Sequence, residues 1–257
     1  MRCGVWVVVA GAILLLGFLL LTWFGRWGAR WGATADELSR ALPGDAWLAG
    51  GPRVHLRMTR AKWVEAPAAQ VWPWLAQAGR GAGWYSYDRL DNGGRASARH
   101  IVSWIPEPRL GDAAPIGYLR HLEPGRELAW WIGGGPFFGA HLRGVMYCGV
   151  TAEGTRARLV VRIQCDARGL LARPACWLLR VIDTIMARRQ MLGIKERAER
   201  YGVRNEDPLC AESGARDQFQ LYHAIYASGE EVGLPGKEDA PRWRRAAIED
   251  GVVTRSG

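Results

Sequence analysis

Residues 84–88, Trp-Tyr-Ser-Tyr-Asp, and His100 after them bring together side chains able to do chemistry. A carboxyl such as that of Asp88 becomes a general acid or base when burial raises its pKa. Histidine, here His100, is the other residue type suited to proton transfer near neutral pH. Trp84, Tyr85 and Tyr87 carry large rings, two of them with a hydrogen-bonding tip, and suit the wall of a ligand pocket. Each residue also has a plainer use. Trp84 can pack short helices onto a sheet, Asp88 can cap a helix or pair with Arg89 or Arg99, and His100 can simply be packed. Arg188 offers a guanidinium for a carboxylate or phosphate, and Arg189 beside it offers another; solvent exposure is the alternative for either. His121 and Glu127 stand on facing hairpin strands, where they could meet. Phe137 and Phe138 fall in GGGPFFGA (133–140), a flexible loop that gates a pocket or touches lipid, or else a plain hairpin connection.

Gly79, Gly81 and Gly83 precede the aromatic run and raise the question of a nucleotide. A dinucleotide loop needs G-x-G-x-x-G after a strand and opening a helix. Here the spacing is G-x-G-x-G, and the preceding segment reads as a helix. Gly-Lys-Ser/Thr does not occur either, so no cofactor is expected. The five histidines are scattered and H-E-x-x-H is missing, so no metal site is expected. Five cysteines without C-x-x-C suggest neither a disulfide framework nor zinc.

The elements that must position these residues begin with a membrane helix. Val5 to Phe24 is an uncharged stretch long enough to cross a bilayer. Trp23, Trp27 and Trp31 recur every four residues beside Arg26 and Arg30, as in a helix leaving through an interfacial aromatic belt. A signal peptide cleaved at Ala33-Thr34-Ala35 is the competing reading, against which the long apolar run argues. Arg2 alone precedes the span and Arg26, Arg30 and Arg40 follow it, which places the main domain in the cytoplasm as a single-pass membrane protein.

Residues 1–31 are thus the anchor and 32–54 a loosely packed lead-in segment. His55–Val64 reads as a strand, and a short helix after Pro67 is confined by Pro73. A second short helix lies around Ser86–Leu90. Hairpins follow around Pro124-Gly125 and Glu153-Gly154. In 156–164 apolar residues alternate with Arg156, Arg158 and Arg162, predicting a solvated cationic face. Pro174–Arg200 reads as a long helix with a stripe of Leu178, Ile182, Ile185, Met186 and Leu192. Gly193 within it either permits close packing or is tolerated. The order describes an α+β fold with the last helix laid across an antiparallel sheet. Residues 201–257 form a polar extension with helices expected in 217–226 and 237–250, available to a protein partner.

A net charge of +9 is carried mostly by arginine. The arginines are dispersed rather than clustered with exposed aromatics, which argues against nucleic acid. Anionic lipid suits a tethered basic protein better, and simple solvation of the side chains suits it as well.

TADELSRALPGD (34–45), VEAPAAQVWPWLAQAGRGAGWYSYDRLDN (64–92), RLGD (109–112) and MARRQMLGIKERAE (186–199) resemble the SRPBCC superfamily. This is the START-like, polyketide cyclase/dehydrase and lipid-transport group. The resemblance spans about residues 34–200 and implies a helix-grip domain over 55–200, with a cavity between sheet and last helix. It implies a hydrophobic small molecule or lipid as ligand, or a cyclase- or dehydratase-like reaction on such a substrate. A non-catalytic interaction module is the third reading. Relatives usually carry an acid just before Arg-Ile, where this chain has Ala98-Arg99-His100-Ile101.

Overall fold

Strand alternation and turn chemistry account for most of the architecture. The computed structural model of the protein describes residues 2–48 and 54–201. The order is α1 (Arg2–Gly28), α2 (Ala35–Ser39), a 3₁₀ turn (Asp45–Leu48), β1 (Val54–Val64), α3 (Ala68–Gln77) and α4 (Asp88–Asp91). Then come β2 (Ala113–Ala114), β3 (Gly117–Glu123), β4 (Glu127–Phe137), β5 (Ala140–Glu153), β6 (Arg156–Arg168) and α5 (Ala172–Tyr201). The six strands form one antiparallel sheet in the order β1-β6-β5-β4-β3-β2. The long α5 follows the sheet and packs on β1, β5, β6 and α3, so the fold is α+β as expected of a helix grip. The helices expected in 217–226 and 237–250, and the partner surface assigned to them, lie outside the described residues.

Two hairpins follow their turn residues. β3 and β4 meet at Glu123↔Glu127 around Pro124-Gly125, and β5 and β6 at Glu153↔Arg156 around Gly154. The run 133–140 is different from the expected loop. β4 continues to Phe137, its register shifting between Ile132 and Gly135, and pairs Phe137 with Ala140. The turn is only Phe138-Gly139, both with positive φ, the geometry that matches strand twist in tight hairpins. The extra glycines are absorbed as a β-bulge.

The sheet's two faces carry different loads. Leu56, Met58, Leu159, Val161, Trp130 and Met146 face α3 and α5 in the main core. The other face is not solvated. Leu48, Val145, Tyr147 and Val160 form a second cluster there, beneath the lead-in segment. Arg162 is fully buried, and its guanidinium donates to the Glu37, Leu38 and Arg40 carbonyls and to Asp45 Oδ2 at 2.6 Å. Arg158 pairs bidentately with Glu37, at 2.7 and 2.8 Å. Thr34 and Glu37 close a capping box on α2. Residues 34–48 of the lead-in segment therefore form a docked layer rather than a loose linker, and the cationic stripe of β6 is what holds them.

The end of α1 also belongs to the domain. Phe18 stacks on Trp177 at 5.3 Å, and Trp177 Nε1 donates to Thr22 Oγ1 at 2.9 Å. Gly28 lies so close to Thr184 that a Cβ there would stand 2.0 Å from its methyl group. Contacts climb together along both helices, from Phe18 and Trp177 to Gly28 and Thr184, so α1 and α5 run parallel. Past the helix, the Ala29 and Trp31 carbonyls accept from Thr59 and Ala61 on β1, covering an exposed sheet edge.

Candidate functional site

Between the inner face of the sheet and α5 lies a cavity of about 340 Å³. Ile132, Met146, Ile163 and Cys165 line it from the strands, Leu179, Met186 and Ala187 from α5, and Trp84 and Phe137 from the loop after α3 and the end of β4. Such apolar walls with a few polar groups suit a small hydrophobic ligand.

Five polar side chains interrupt the lining: Ser86, Asp91, Arg143, Asp183 and Gln190, with Arg143 donating to Asp166 Oδ2 at 3.3 Å. Ser86 donates to the Met186 carbonyl at 3.0 Å, tying the aromatic loop to α5. Asp183 accepts from the buried Arg60 at 2.7 Å, while Arg60 Nε donates to the Gly28 carbonyl at 2.6 Å. One salt bridge therefore joins the cavity wall, the edge strand and the end of α1. Asp91 is the chemically loaded group. Its Oδ1 is shut off from solvent without a hydrogen-bond partner, and burial, with Asp88 nearby, holds the carboxyl above its ordinary range. Such a group protonates readily and can exchange a proton or a hydrogen bond with a ligand. Burial also pushes the Cys165 thiol up, so this sulfur is not a thiolate nucleophile.

Of the residues singled out by sequence, Trp84 and Phe137 line this cavity and the others lie elsewhere. Tyr85 is fully buried in a hydrogen-bonded core. Its hydroxyl accepts from Gln77 Nε2 at 2.8 Å, Trp74 packs edge-on to its ring, and the Arg197 guanidinium stands 4.6 Å over it. Its φ is 60°, and a Cβ at Gly193 would stand 2.2 Å from its carbonyl oxygen. Gly193 is thus the close-packing glycine of α5. Tyr87 is exposed at the start of α4. Asp88 accepts from the backbone and hydroxyl of Ser97, which fixes the loop between them. His100 offers its carbonyl to Gln77 and keeps its buried Nε2 without a partner, outside the cavity lining. Arg188 lies over the Trp31 ring at 5.2 Å, and Arg189 is exposed. Phe138 is exposed at the hairpin tip, edge-on to Phe137. Trp23 and Trp27 are exposed on α1, and Arg26 and Arg30 line a separate polar pocket. His121 and Glu127 do meet, at 3.0 Å, with Tyr147 donating to the same carboxylate at 2.8 Å, but Tyr147 belongs to the cluster on the opposite sheet face.

The glycine run serves packing. Gly79 accepts the edge of Trp84 where a Cβ would stand 2.3 Å from its ring, and Gly83 leaves room for Ser97. Asp91, Ser86 and Asp183 were not singled out by sequence. Asp91 lies three residues beyond Asp88 in the same motif. Asp183 shares a helical face with Leu179, Met186, Ala187 and Gln190, spaced by three and four residues, and that face was the available signal.

No family model matches the chain, and no curated protein matches it. Among solved structures the chain is similar to an uncharacterized protein from Rhizobium leguminosarum (13% identity, 58% of this chain and 97% of that one, TM-score 0.36). It is similar also to an AHSA1-like protein from Rhizobium etli (15% identity, 61% and 89%, TM-score 0.32) and to Ara h 8.0201 (12% identity, 58% and 97%, TM-score 0.36).

Proposed function

We propose that the protein is a membrane-anchored binding or transport protein for a hydrophobic small molecule or lipid, held between the sheet and α5. The observation that carries this reading is the cavity of about 340 Å³, walled by aliphatic and aromatic side chains and interrupted by few polar groups. α1 supports the anchor: Val5–Gly28 is long and apolar enough to cross a membrane, and its side chains before the α5 contact are exposed. Phe138, Leu170 and Leu171 are exposed at the end of the domain where α5 begins. Because α1 and α5 run parallel, this apolar rim faces back along α1, toward the bilayer.

The test uses the full chain, purified in mild detergent and offered a panel of isoprenoids, fatty acids and polyketides, with uptake read by native mass spectrometry. Ala187→Trp would fill the cavity from α5. Uptake by the wild type and its loss in this variant are expected. An empty wild type, or unchanged uptake in the variant, would sink the proposal.

Asp91 favours a second reading, a cyclase- or dehydratase-like enzyme working by proton transfer in the same cavity. Asp91→Asn would then abolish turnover of a bound ligand while leaving its binding intact. Equal turnover in both proteins would remove this reading and leave the first.

A further inference from the structure

A second cavity, of about 330 Å³, lies where α1, α5 and β1 converge. Arg26, Ala29 and Arg30 line it from α1 and the residues after it, Arg180 from α5 and Arg57 from β1. Four guanidinium groups share this lining with no carboxylate among them. Arg57 is partly engaged, donating to Gln164 Oε1 at 3.1 Å and to Asp45 Oδ2 at 3.4 Å. Arg180 Nε is buried with no hydrogen-bond partner. Gathered like charges and a buried donor without an acceptor are both unfavourable until an anion enters.

The pocket's position narrows the anion. The uncharged stretch of α1 ends at Phe24, so at 1.5 Å per residue Arg26 lies about 3 Å beyond it, and Arg30 follows in the turn after α1 ends at Gly28. With that stretch filling the hydrocarbon core, Phe18, Thr22 and the Trp177 ring packed on them lie within it, and Arg26, one turn past Thr22, comes to the phosphate layer, which adds roughly 5–7 Å on each side. Arginine forks match phosphate oxygens with paired N–H donors. Four cations in the lining, Arg57 among them bonded to Asp45, disfavour a headgroup that carries its own ammonium.

We propose that this pocket binds the phosphate of an anionic phospholipid in the leaflet where α1 leaves the membrane. The proposal rests on α1 crossing the bilayer and is independent of the apolar cavity. It gives the domain a fixed attachment to the lipid surface besides its helix.

The experiment places the full chain in nanodiscs of phosphatidylcholine doped with phosphatidylglycerol and identifies the lipids that stay bound on ejection into a mass spectrometer. The wild type should retain phosphatidylglycerol in preference. Arg26→Gln/Arg180→Gln should lower that retention by at least about tenfold, the loss of two charge-assisted contacts. Arg126→Gln, on the exposed β3–β4 turn, should leave it unchanged. Arg26→Lys/Arg180→Lys keeps the charge and loses the forks, so intermediate retention is expected. This variant decides the matter if thermal melting shows the glutamine variant unfolded. Equal retention of both lipids, or full retention in both double variants, overturns the proposal. So does stripping of the lipid by inorganic phosphate or glycerol phosphate, which would make the site one for a soluble anion. A chain that fails to enter nanodiscs removes the membrane reading and this site together, whereas an empty apolar cavity with phosphatidylglycerol retained leaves the site standing.

Discussion

Replacing Asp183 by leucine leaves Arg60 as a buried cation without its carboxylate. Arg60 has no exposed surface, and Asp183 is 15% exposed. The remaining partners of the guanidinium are the Gly28 carbonyl at 2.6 Å and Met58 Sδ at 3.5 Å, neither charged. Deleting one member of a buried pair destabilises by about 3–5 kcal/mol, and the partial exposure of Asp183 favours the lower end, about 3 kcal/mol. Arg60→Met should be milder, about 1–2 kcal/mol, because Asp183 faces a cavity that can admit water while Gly28 loses one donor. The double variant removes both desolvated charges and fills the space with aliphatic carbon. Such replacements are near neutral or stabilising, so the double variant should lie within about 1 kcal/mol of wild type.

The decisive quantity is the coupling. If Asp183→Leu and Arg60→Met each act alone, their sum is about 4–5 kcal/mol; the double variant near zero gives a coupling of roughly 4–5 kcal/mol. The assay is guanidinium unfolding of the full chain in detergent micelles, followed by near-ultraviolet circular dichroism. A single Asp183→Leu costing under about 1 kcal/mol would show that water or a rearranged partner reaches Arg60. A double variant as unstable as the sum of the singles would refute the pairing argument itself.

Three other outcomes follow from the same contacts. Gly193→Ala should destabilise by about 1–2 kcal/mol in thermal melts. The clash with the Tyr85 carbonyl outweighs the gain of roughly 1 kcal/mol in helix propensity, and an unchanged melt would mean that the Tyr85 loop yields freely. Burial would raise the Glu37 carboxyl, but the bonds from Arg158 and Thr34 outweigh it and hold the carboxyl low. Its contribution is therefore complete above the unfolded pKa and lost as pH falls through the folded one; Glu37→Gln should be less stable at neutral pH and converge with wild type in acid. Asp91 has the opposite sign, because burial raises its folded pKa: the stability its protonated form provides is lost as pH rises through that value. Asp91→Asn should therefore melt higher than wild type at neutral pH and not in acid, and a reversed order would contradict the burial of its carboxyl.

Local pattern made the hairpins and the long helix readable, because turn residues and strand alternation act over a few neighbours. Tertiary pairing hid the rest. In α5, Ile182 and Ile185, which helical periodicity assigns to the apolar stripe, are 40% and 45% exposed, whereas Asp183, Ala187 and Gln190 face the cavity. Hydrophobicity misleads on this face, since Arg60, 123 residues away in sequence, is what makes an aspartate acceptable there. The lead-in segment was equally opaque, because its anchors are Arg158 and Arg162 on a distant strand. The aromatic motif indicated the right neighbourhood and not the right atoms: Trp84 reaches the cavity, while Tyr85 and Asp88 are absorbed by Gln77 and Ser97.

The same pairing changes what the positive charge means. A net charge of +9 invites a search for a polyanion, yet many of the arginines already have work inside the fold. Arg60, Arg80, Arg158 and Arg162 pair with Asp183, Asp112, Glu37 and Asp45, and each joins elements far apart in the chain. Arg156 and Arg158 cover Trp63, and Arg120 covers Trp47 and Trp131. A charge fixed in this way contributes little to steering a distant partner, because its field is largely cancelled by its own counter-charge. What matters for binding is where cations converge without carboxylates. Among the described residues, the lining shared by Arg26, Arg30, Arg57 and Arg180 gathers cations in this way, with Arg57 bonded to Asp45, and it lies just past the end of the uncharged stretch of α1.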